Sequence, residues 1–232
     1  MDLHWIWCQG YTVWTMGCTG VGAVDSEWTS YRSRHRHCAS SHMTLFDNAV
    51  TYVHALLRAH VAEGDVVVDA TLGNGLDAAA LAESIGPSGT LYGFDIQQVA
   101  LDVTRSRLKN TPCTAILHLG GHEEMSAIVP KEHHGSVRCV TFNLGYLPGG
   151  DKTVTTVATT TQRALAAALD MLAPDGLITI VCYGHEEGER ERLAIESVLS
   201  ALDQARWTCV RSTFLNQKGT PPTAYVITSR SE

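Results

Sequence analysis

Apolar and polar residues follow two different periods along the chain, and these periods alternate. Short runs of consecutive apolar residues, many of them β-branched, predict strands that are covered on both faces, as in a parallel sheet. These predicted strands are residues 66–68, 90–95, 114–119, 137–142 and 177–183. Apolar residues spaced three and four apart predict amphipathic helices. These predicted helices are residues 47–62, 76–85, 98–109, 155–172 and 189–205.

The C-terminal part of the chain departs from this alternation of strands and helices. Residues 207–214 and 223–229 both read as strands, and the loop between them makes an antiparallel hairpin. The whole pattern predicts an α/β fold. Its sheet has seven strands, is mostly parallel, carries helices on both faces and ends in the antiparallel hairpin.

Two helices allow finer predictions. Asp47 is placed to cap the first helix, because a side-chain oxygen at that position accepts a hydrogen bond from a free N–H group. In the helix over 98–109, the spacing of Val99, Val103 and Leu108 predicts that they face inward.

Residues 1–42 lack both periods. Four of the five tryptophans lie here without regular spacing, and the charged start and continuous apolar run of a secretory signal are missing. A clean amphipathic pattern begins only at Met43. We therefore expect residues 1–42 to be a poorly ordered extension or a misassigned start, and residues 43–232 to form one domain.

Composition and charge narrow the classes of partner. With 44% hydrophobic and 18% charged residues, the 232-residue chain can form one domain with a substantial core. No apolar run reaches the roughly 18 residues that span a membrane. The formal charge of −7 gives no overall attraction to nucleic acid, so an RNA partner would need a local basic patch.

The seven cysteines form no C-x-x-C pair, which favours buried free thiols in a reducing cytoplasm and predicts no metal site.

The first predicted strand leads into a glycine-rich turn and then a helix, within residues 66–77. Gly73 and Gly75 allow the backbone to turn sharply and to approach a ligand, and the helix start presents free N–H groups. Asp95 ends the next strand, where an acid usually accepts hydrogen bonds from ribose hydroxyls. The sequence therefore predicts a nucleotide cofactor site. The alternative is a tight turn that packs helix on strand and binds nothing.

Six segments resemble one protein family, namely DATLGNGLD, YGFDIQ, GHEEM, FNLGYLPGGDK, IVCYGHEEGERE and FLNQKGTPP. It is the family of class I S-adenosylmethionine (SAM) tRNA methyltransferases once labelled rRNA methylases. Its members methylate the 5-aminomethyl group of 2-thiouridine at the tRNA wobble position. The resemblance covers residues 43–230 and implies a Rossmann-like class I methyltransferase domain with SAM as its cofactor. The implied product is 5-methylaminomethyl-2-thiouridine.

The resemblance also implies which residues hold SAM. Asp69 is expected to hold the methionine amine, directly or through water, because it comes just before the glycine turn. The turn of Gly73, Asn74 and Gly75 is expected to pass under the cofactor. Asp77, at the start of the next helix, is a further candidate.

The adenosine part of SAM is expected to meet residues that follow the next two strands. Asp95 would take the ribose hydroxyls, and Gln97 would flank the adenine. His122 and Glu123 would close its other side. For His122 the alternative is a structural role. For Glu123 the alternative is a helix-start carboxylate, which is favourable by ~0.3–1 kcal/mol from the helix dipole alone.

The segment from Asn143 to Tyr146 resembles the Asn/Asp-x-x-aromatic motif of methyltransferases that act on amino groups. An amine attacks the methyl carbon with its lone pair, so the Asn143 side-chain carbonyl can accept an amine N–H and aim that lone pair. Tyr146 would pack against the uracil ring or the methylene group. The amine must first lose a proton, and the candidates to help are Asp77, Tyr183 and His185, or solvent alone.

The implied partner is the tRNA anticodon stem-loop, because a wobble base reaches such a site only after it is splayed out of the loop. Lys152 and Lys218 are candidates to contact anticodon phosphates, and His185 is a candidate to contact the substrate. The predicted location is the cytoplasm. The acidic balance permits a homodimer without requiring one.

Two other functions compete with tRNA methylation. One is a SAM-dependent methyltransferase that acts on an amine of rRNA, protein or a small molecule, which the negative charge favours. The other is a nucleotide-binding oxidoreductase or a non-catalytic binding protein, because Gly73, Gly75 and Ala78 also satisfy the dinucleotide spacing G-x-G-x-x-G/A. Asn143 argues against an oxidoreductase, since hydride transfer has no use for an amide that orients an amine.

Overall fold

A computed structural model describes residues 7–8, 11–12 and 47–230. The chain divides into two units, residues 1–43 and 44–232. In the first unit, strands β1 (Trp7–Cys8) and β2 (Tyr11–Thr12) pair antiparallel. The rest of the predicted extension lies outside the described residues. Nowhere in the part of the chain described here is a helix long and apolar enough to cross a membrane.

The second unit alternates strands and helices as predicted. Its strands are β3 (Val66–Asp69), β4 (Thr90–Asp95), β5 (Thr114–Leu119), β6 (Val137–Leu144), β7 (Leu172–Cys182), β8 (Trp207–Ser212) and β9 (Thr223–Ser229). Its α-helices are α1 (Ala49–His60), α2 (Leu76–Ile85), α3 (Gln98–Leu108), α4 (Met125–Ile128), α5 (Ala158–Met171) and α6 (Glu186–Ser200). Short 3₁₀ helices cover His122–Glu124 and Lys131–His133.

The seven strands β3 to β9 form one sheet with the order β5-β4-β3-β6-β7-β9-β8. Strands β3 to β7 are parallel, and β9 lies antiparallel between β7 and β8. The chain moves outward from β3 to β5 and then returns to the other side of β3 at β6. Ligands of open α/β sheets bind beside such a reversal, at the carboxyl ends of the strands. The predicted sheet and its C-terminal hairpin are confirmed.

The core consists of two apolar layers, one on each face of the sheet. Val67 belongs to the layer that includes α1 and α2, and Val68 belongs to the layer that includes α5. Consecutive strand residues point to opposite faces, so the two valines mark the two layers. Both are fully buried, which explains why this strand reads as an unbroken apolar run.

Several boundaries and faces differ from the predictions. The cap of α1 is Asn48 and not Asp47, because the Asn48 side chain and Thr51 bond each other's backbone N–H groups at 3.0 Å. On α3, Val99 and Val103 were predicted to face inward but are 54% and 37% exposed, respectively.

The helix α6 begins three residues earlier than predicted, because the His185 ring caps it. The helix α5 is shorter than predicted at its start, and β6 extends through Leu144. Of the thiols expected to be buried, Cys139 and Cys182 are buried, whereas Cys113 is half-buried and Cys209 is exposed.

Candidate active site

A cavity of about 800 Å³ opens at the carboxyl ends of the central strands. This volume lies within the range of ~300–1,000 Å³ that is usual for small-molecule sites. Eleven of the predicted site residues line it, namely Gly73, Asn74, Asp77, Asp95, Gln97, His122, Glu123, Asn143, Tyr146, Tyr183 and His185. The predicted residues outside this lining are Asp69, Gly75, Lys152 and Lys218.

Asp95 joins two of the loops that form the cavity. Its Oδ2 accepts a hydrogen bond from the Gly73 N–H at 2.9 Å, and its Oδ1 accepts one from the Gln97 N–H at 2.9 Å. Each carboxylate oxygen can accept a second hydrogen bond. Asp95 is therefore held on the cavity wall and can still receive two hydroxyl groups, as its predicted role requires.

The two glycines of the turn have different surroundings. Gly73 lines the cavity at a φ of +50°, and an added Cβ would lie in ordinary contact, 3.7 Å from Leu147. Gly75 has a φ of +70° and caps α2, and an added Cβ would lie 2.7 Å from Thr104 Oγ1 and 3.0 Å from its Cα. Gly75 thus allows α2 to approach α3. The structure gives it a packing role where the sequence predicted a cofactor contact.

Asp69 is fully buried below the turn and does not reach the cavity wall. Its Oδ1 accepts a hydrogen bond from the Thr71 N–H at 3.1 Å. Burial and the negative charge of Asp77 raise the pKa of Asp69 well above its ordinary value. The structure therefore does not place Asp69 in direct contact with the cavity, and the carboxylate on the wall in this region is Asp77.

Asp77 is the centre of a hydrogen-bond network that joins three parts of the fold. Its Oδ1 lies 2.6 Å from His54 Nε2 on α1. Its Oδ2 accepts hydrogen bonds from Asn143 Nδ2 at 2.7 Å and from Thr141 Oγ1 at 3.3 Å. Burial acts to raise the pKa of Asp77, but the donors His54, Asn143 and Thr141 outweigh it, and the pKa lies below its ordinary value. Asp77 is therefore an ionised carboxylate at neutral pH.

The orientation of Asn143 follows from this network. Because a carboxylate only accepts hydrogen bonds, the Asn143 amide must turn its NH₂ group to Asp77. Its Oδ1 is then free to accept a hydrogen bond from a ligand in the cavity. The backbone N–H of Asn143 donates to Thr71 Oγ1 at 2.7 Å, which fixes the strand end beside the glycine turn.

Tyr146 and His185 form the far wall of the cavity. Their ring centroids are 5.7 Å apart, and Tyr146 is 38% exposed. His185 Nδ1 accepts a hydrogen bond from the Gly188 N–H at 2.9 Å, so the neutral ring carries its proton on Nε2. Lys152 Nζ lies 5.5 Å from the Tyr146 ring centroid, close to the cavity although outside its lining.

Two further predicted residues, His122 and Glu123, line the cavity. His122 is 6% exposed, and within the described residues its Nε2 has no hydrogen-bond partner. Burial lowers the pKa of His122, which favours a neutral ring. Glu123 Oε1 pairs with Arg163 Nη2 on α5 at 3.1 Å, so it also holds the wall together.

Lys218 is exposed on the loop between β8 and β9, outside the cavity lining. The same loop is tied to the segment before α6, because Thr220 Oγ1 donates to the Gly184 carbonyl at 3.2 Å. Lys218 therefore belongs to a loop that is fixed one residue away from His185.

His54 is the functional candidate that the sequence pattern did not reveal, because a lone histidine on a helix usually has a structural role. One signal was available, since Val50 and His54 are four residues apart on the same face of α1. Val50 lines the cavity, and His54 contacts Asp77.

Comparison with known proteins identifies the family. Residues 91–228 match the family described as "Putative rRNA methylase". The chain belongs to this family. The chloroplastic tRNA (mnm(5)s(2)U34)-methyltransferase of Arabidopsis thaliana is 38% identical over an alignment of 185 residues, and the match covers 75% of this chain. The chain spans 66% of the length of that curated relative.

Two solved structures resemble the chain over most of its length. A protein described as a "putative rRNA-methylase" from Clostridium thermocellum has a TM-score of 0.74 and 37% identity, and the match covers 78% of this chain and 97% of that one. A protein described as "a putative methyltransferase" from Streptococcus mutans, in complex with SAH, has a TM-score of 0.70 and 31% identity, over 78% and 98% of the two chains. These comparisons confirm the predicted class I fold and the prediction of a SAM-dependent methyltransferase.

Proposed function

We propose that this SAM-dependent methyltransferase methylates the amine of 5-aminomethyl-2-thiouridine at the tRNA wobble position. The product is 5-methylaminomethyl-2-thiouridine. The observation that carries the proposal is the 2.7 Å hydrogen bond from Asn143 Nδ2 to Asp77, which turns the amide carbonyl toward the cavity. The 38% identity to a plant enzyme named for this wobble nucleoside supports the same substrate.

The cavity fits SAM, which when bound supplies a methyl group on a positively charged sulfur. Asp95 offers oxygens to the ribose hydroxyls while its own position is fixed by two backbone N–H groups. The buried Nε2 of His122, which has no partner among the described residues, can bond a polar group of the adenosine. The ionised Asp77 on the wall suits a cofactor with a cationic sulfur and an ammonium group.

Asn143 would act on the substrate by positioning. An amine that donates one N–H to Asn143 Oδ1 has its lone pair restricted to a few directions, and such orientation lowers the barrier to transfer. A hydroxyl or ring nitrogen of another substrate would gain less, because it has fewer N–H or O–H bonds to direct. The amide of Asn143 therefore favours an amine as the substrate over a hydroxyl or a ring nitrogen.

The substrate ammonium loses its proton to solvent before the amine binds. Tyr183 is a protonated phenol at neutral pH, because burial and nearby Asp77 raise its pKa. His185 in its neutral form presents an N–H at Nε2 and has no free lone pair for a base. Asp77 is a weak base, since its hydrogen-bond donors hold its pKa below the ordinary value. Its role is then to fix Asn143.

The RNA is proposed to enter past Tyr146. The partly exposed ring lies at the cavity and can stack on a splayed base, a contact worth ~1–3 kcal/mol in proteins that bind single strands. Lys152 beside this ring and Lys218 on the adjacent loop would contact phosphates. Such local charges are needed because the whole chain carries −7. A cytoplasmic location and a homodimer remain predictions.

Methylation of another amine, in rRNA, protein or a small molecule, is the second candidate, and the charge of −7 favours it. The test supplies labelled SAM and two pools of tRNA, one from cells lacking this methylation and one whose wobble uridine lacks the aminomethyl group. We expect label only in the first pool. Equal labelling of both pools, or label in added ribosomes alone, would reject the wobble amine as substrate.

A further inference from the structure

His54 lies on α1, outside the turns that form most of the cavity wall, yet it contacts the acid at the centre of the network. Its Nε2 is 2.6 Å from Asp77 Oδ1, and the two side chains are only 18% and 8% exposed. Asp77 is ionised and can only accept, so His54 Nε2 must carry the proton of this bond. A close charge-assisted hydrogen bond is therefore buried next to the cavity.

The protonation state of Asp77 decides which way the Asn143 amide faces. An ionised Asp77 binds the amide NH₂ group, and the carbonyl is left for the substrate amine. A protonated Asp77 would have a hydroxyl to donate, and the amide could then turn its carbonyl to Asp77. The flipped amide would present its N–H groups to the N–H groups of the amine. Two hydrogen-bond donors repel each other, so the amine would lose its orientation.

We propose that His54 is a positioning residue that keeps Asp77 ionised and thereby holds the Asn143 carbonyl toward the substrate amine. The inference rests on the proposed function, because the direction of the amide matters only if an amine is methylated. The Asp77 carboxylate transmits the effect of His54 to Asn143. One oxygen of Asp77 receives His54, and the other receives Asn143.

The other groups around Asp77 do not take over this task. The titratable side chains that interact with it are His54 on α1, Asp69 at the end of β3, Cys139 on β6 and Tyr183 after β7. The pKa of each of the last three is raised, chiefly by burial. None of them donates a hydrogen bond to Asp77, and Asp69 opposes the ionisation of Asp77 when it is itself ionised. Thr141 also donates to Asp77, but its bond is the longest at 3.3 Å.

The test compares His54→Ala with His54→Gln, in which the amide NH₂ can still donate to Asp77. For His54→Ala we expect kcat for methyl transfer at neutral pH to fall by about tenfold to a hundredfold, as for the loss of one hydrogen bond to a charged group. The measurement uses saturating SAM, so that a weaker attraction of Asp77 for the cofactor does not enter kcat. His54→Gln should recover most of the lost kcat, because the donated bond is restored.

The pH profile separates positioning from a merely structural role. The ratio of His54→Ala to wild-type kcat should rise with pH, because alkaline solution ionises Asp77 without help. Taking the ratio removes the ionisation of the substrate amine, which is common to both enzymes. A ratio that stays constant across pH, or a His54→Ala enzyme as active as wild type, would overturn the inference.

Two measurements keep the inference testable if a variant misfolds or if the substrate is a different one. Asp77→Asn imitates the protonated acid, so its kcat at saturating SAM should fall as in His54→Ala. In NMR spectra without substrate, the Asn143 side-chain amide signals, assigned through their loss in Asn143→Asp, should shift in His54→Ala and return with rising pH. Unchanged amide signals would refute the role of His54. A wild-type enzyme that binds SAM but methylates no wobble amine would refute only the proposed function.

Discussion

Gly75→Ala should destabilise the protein far more than Gly73→Ala, although one residue separates the two glycines. Both have positive φ, +70° and +50°, so each alanine would cost about 1–2 kcal/mol for the left-handed backbone. Only at Gly75 does the added Cβ also collide with Thr104, at 2.7 Å from Oγ1 and 3.0 Å from Cα. Because Cα cannot rotate away, overpacking adds about 1–3 kcal/mol. The expected losses in unfolding free energy are about 2–5 kcal/mol for Gly75→Ala and about 1–2 kcal/mol for Gly73→Ala.

Urea unfolding of both variants, followed by circular dichroism, measures this difference. Gly73→Ala serves as the matched control, because its Cβ meets its nearest neighbour, Leu147, at an ordinary 3.7 Å. The slope of the unfolding free energy against urea should be the same for all three proteins, so that midpoints report stability. Equal midpoints for the two variants would refute the packing role of Gly75. A stable Gly75→Ala protein that fails to bind SAM would support the cofactor contact instead.

Three further predictions concern the site and its support. Asn143→Ala should lower kcat by at least about tenfold and leave SAM affinity within about twofold, measured by steady-state kinetics and calorimetry, because the lost amide carbonyl orients the substrate amine. Equal losses of both would contradict its role. Asp95→Ala should weaken SAM binding by about a hundredfold, because the substitution removes both the anchoring of the loops and the contacts with the ribose. Unchanged affinity would mean that the ribose lies elsewhere. Burial raises the pKa of Glu191, which accepts hydrogen bonds from Thr161 and Thr156. Its stabilising contribution is full below the unfolded pKa and declines as pH rises through the folded pKa. The stability of Glu191→Gln relative to wild type should therefore increase as the pH rises above the ordinary pKa of a glutamate. Urea midpoints of the two proteins that change in parallel with pH would disprove this.

The sequence predicted features that depend on a residue and its near neighbours in the chain. Asp95 ends a strand that is mostly apolar, and parallel strands end at one edge of the sheet, so its place beside Gly73 followed from the pattern. Asn143 and Tyr146 were found because their motif is contiguous in the chain.

The remaining features depend on contacts between distant segments. Gly75 faces Thr104 on the next helix, and nothing in the glycine turn itself distinguishes a glycine that packs from one that lines a cavity. Asp69 lies only two residues before Thr71, yet its side chain turns under the loop and not into the cavity. His54 meets Asp77 across 23 positions of sequence, a pairing that follows only from the way α1 packs on α2.

The most direct test of the central claim follows the methyl group into a defined nucleoside. SAM with a deuterated methyl group is incubated with the enzyme and an anticodon stem-loop that contains 5-aminomethyl-2-thiouridine at the wobble position, and the digested nucleosides are analysed by mass spectrometry. The account predicts that this nucleoside alone gains one deuterated methyl group, and that Asn143→Ala slows the gain. A protein that binds SAM but leaves this nucleoside unchanged, or that labels another nucleoside of the stem-loop, would contradict the account.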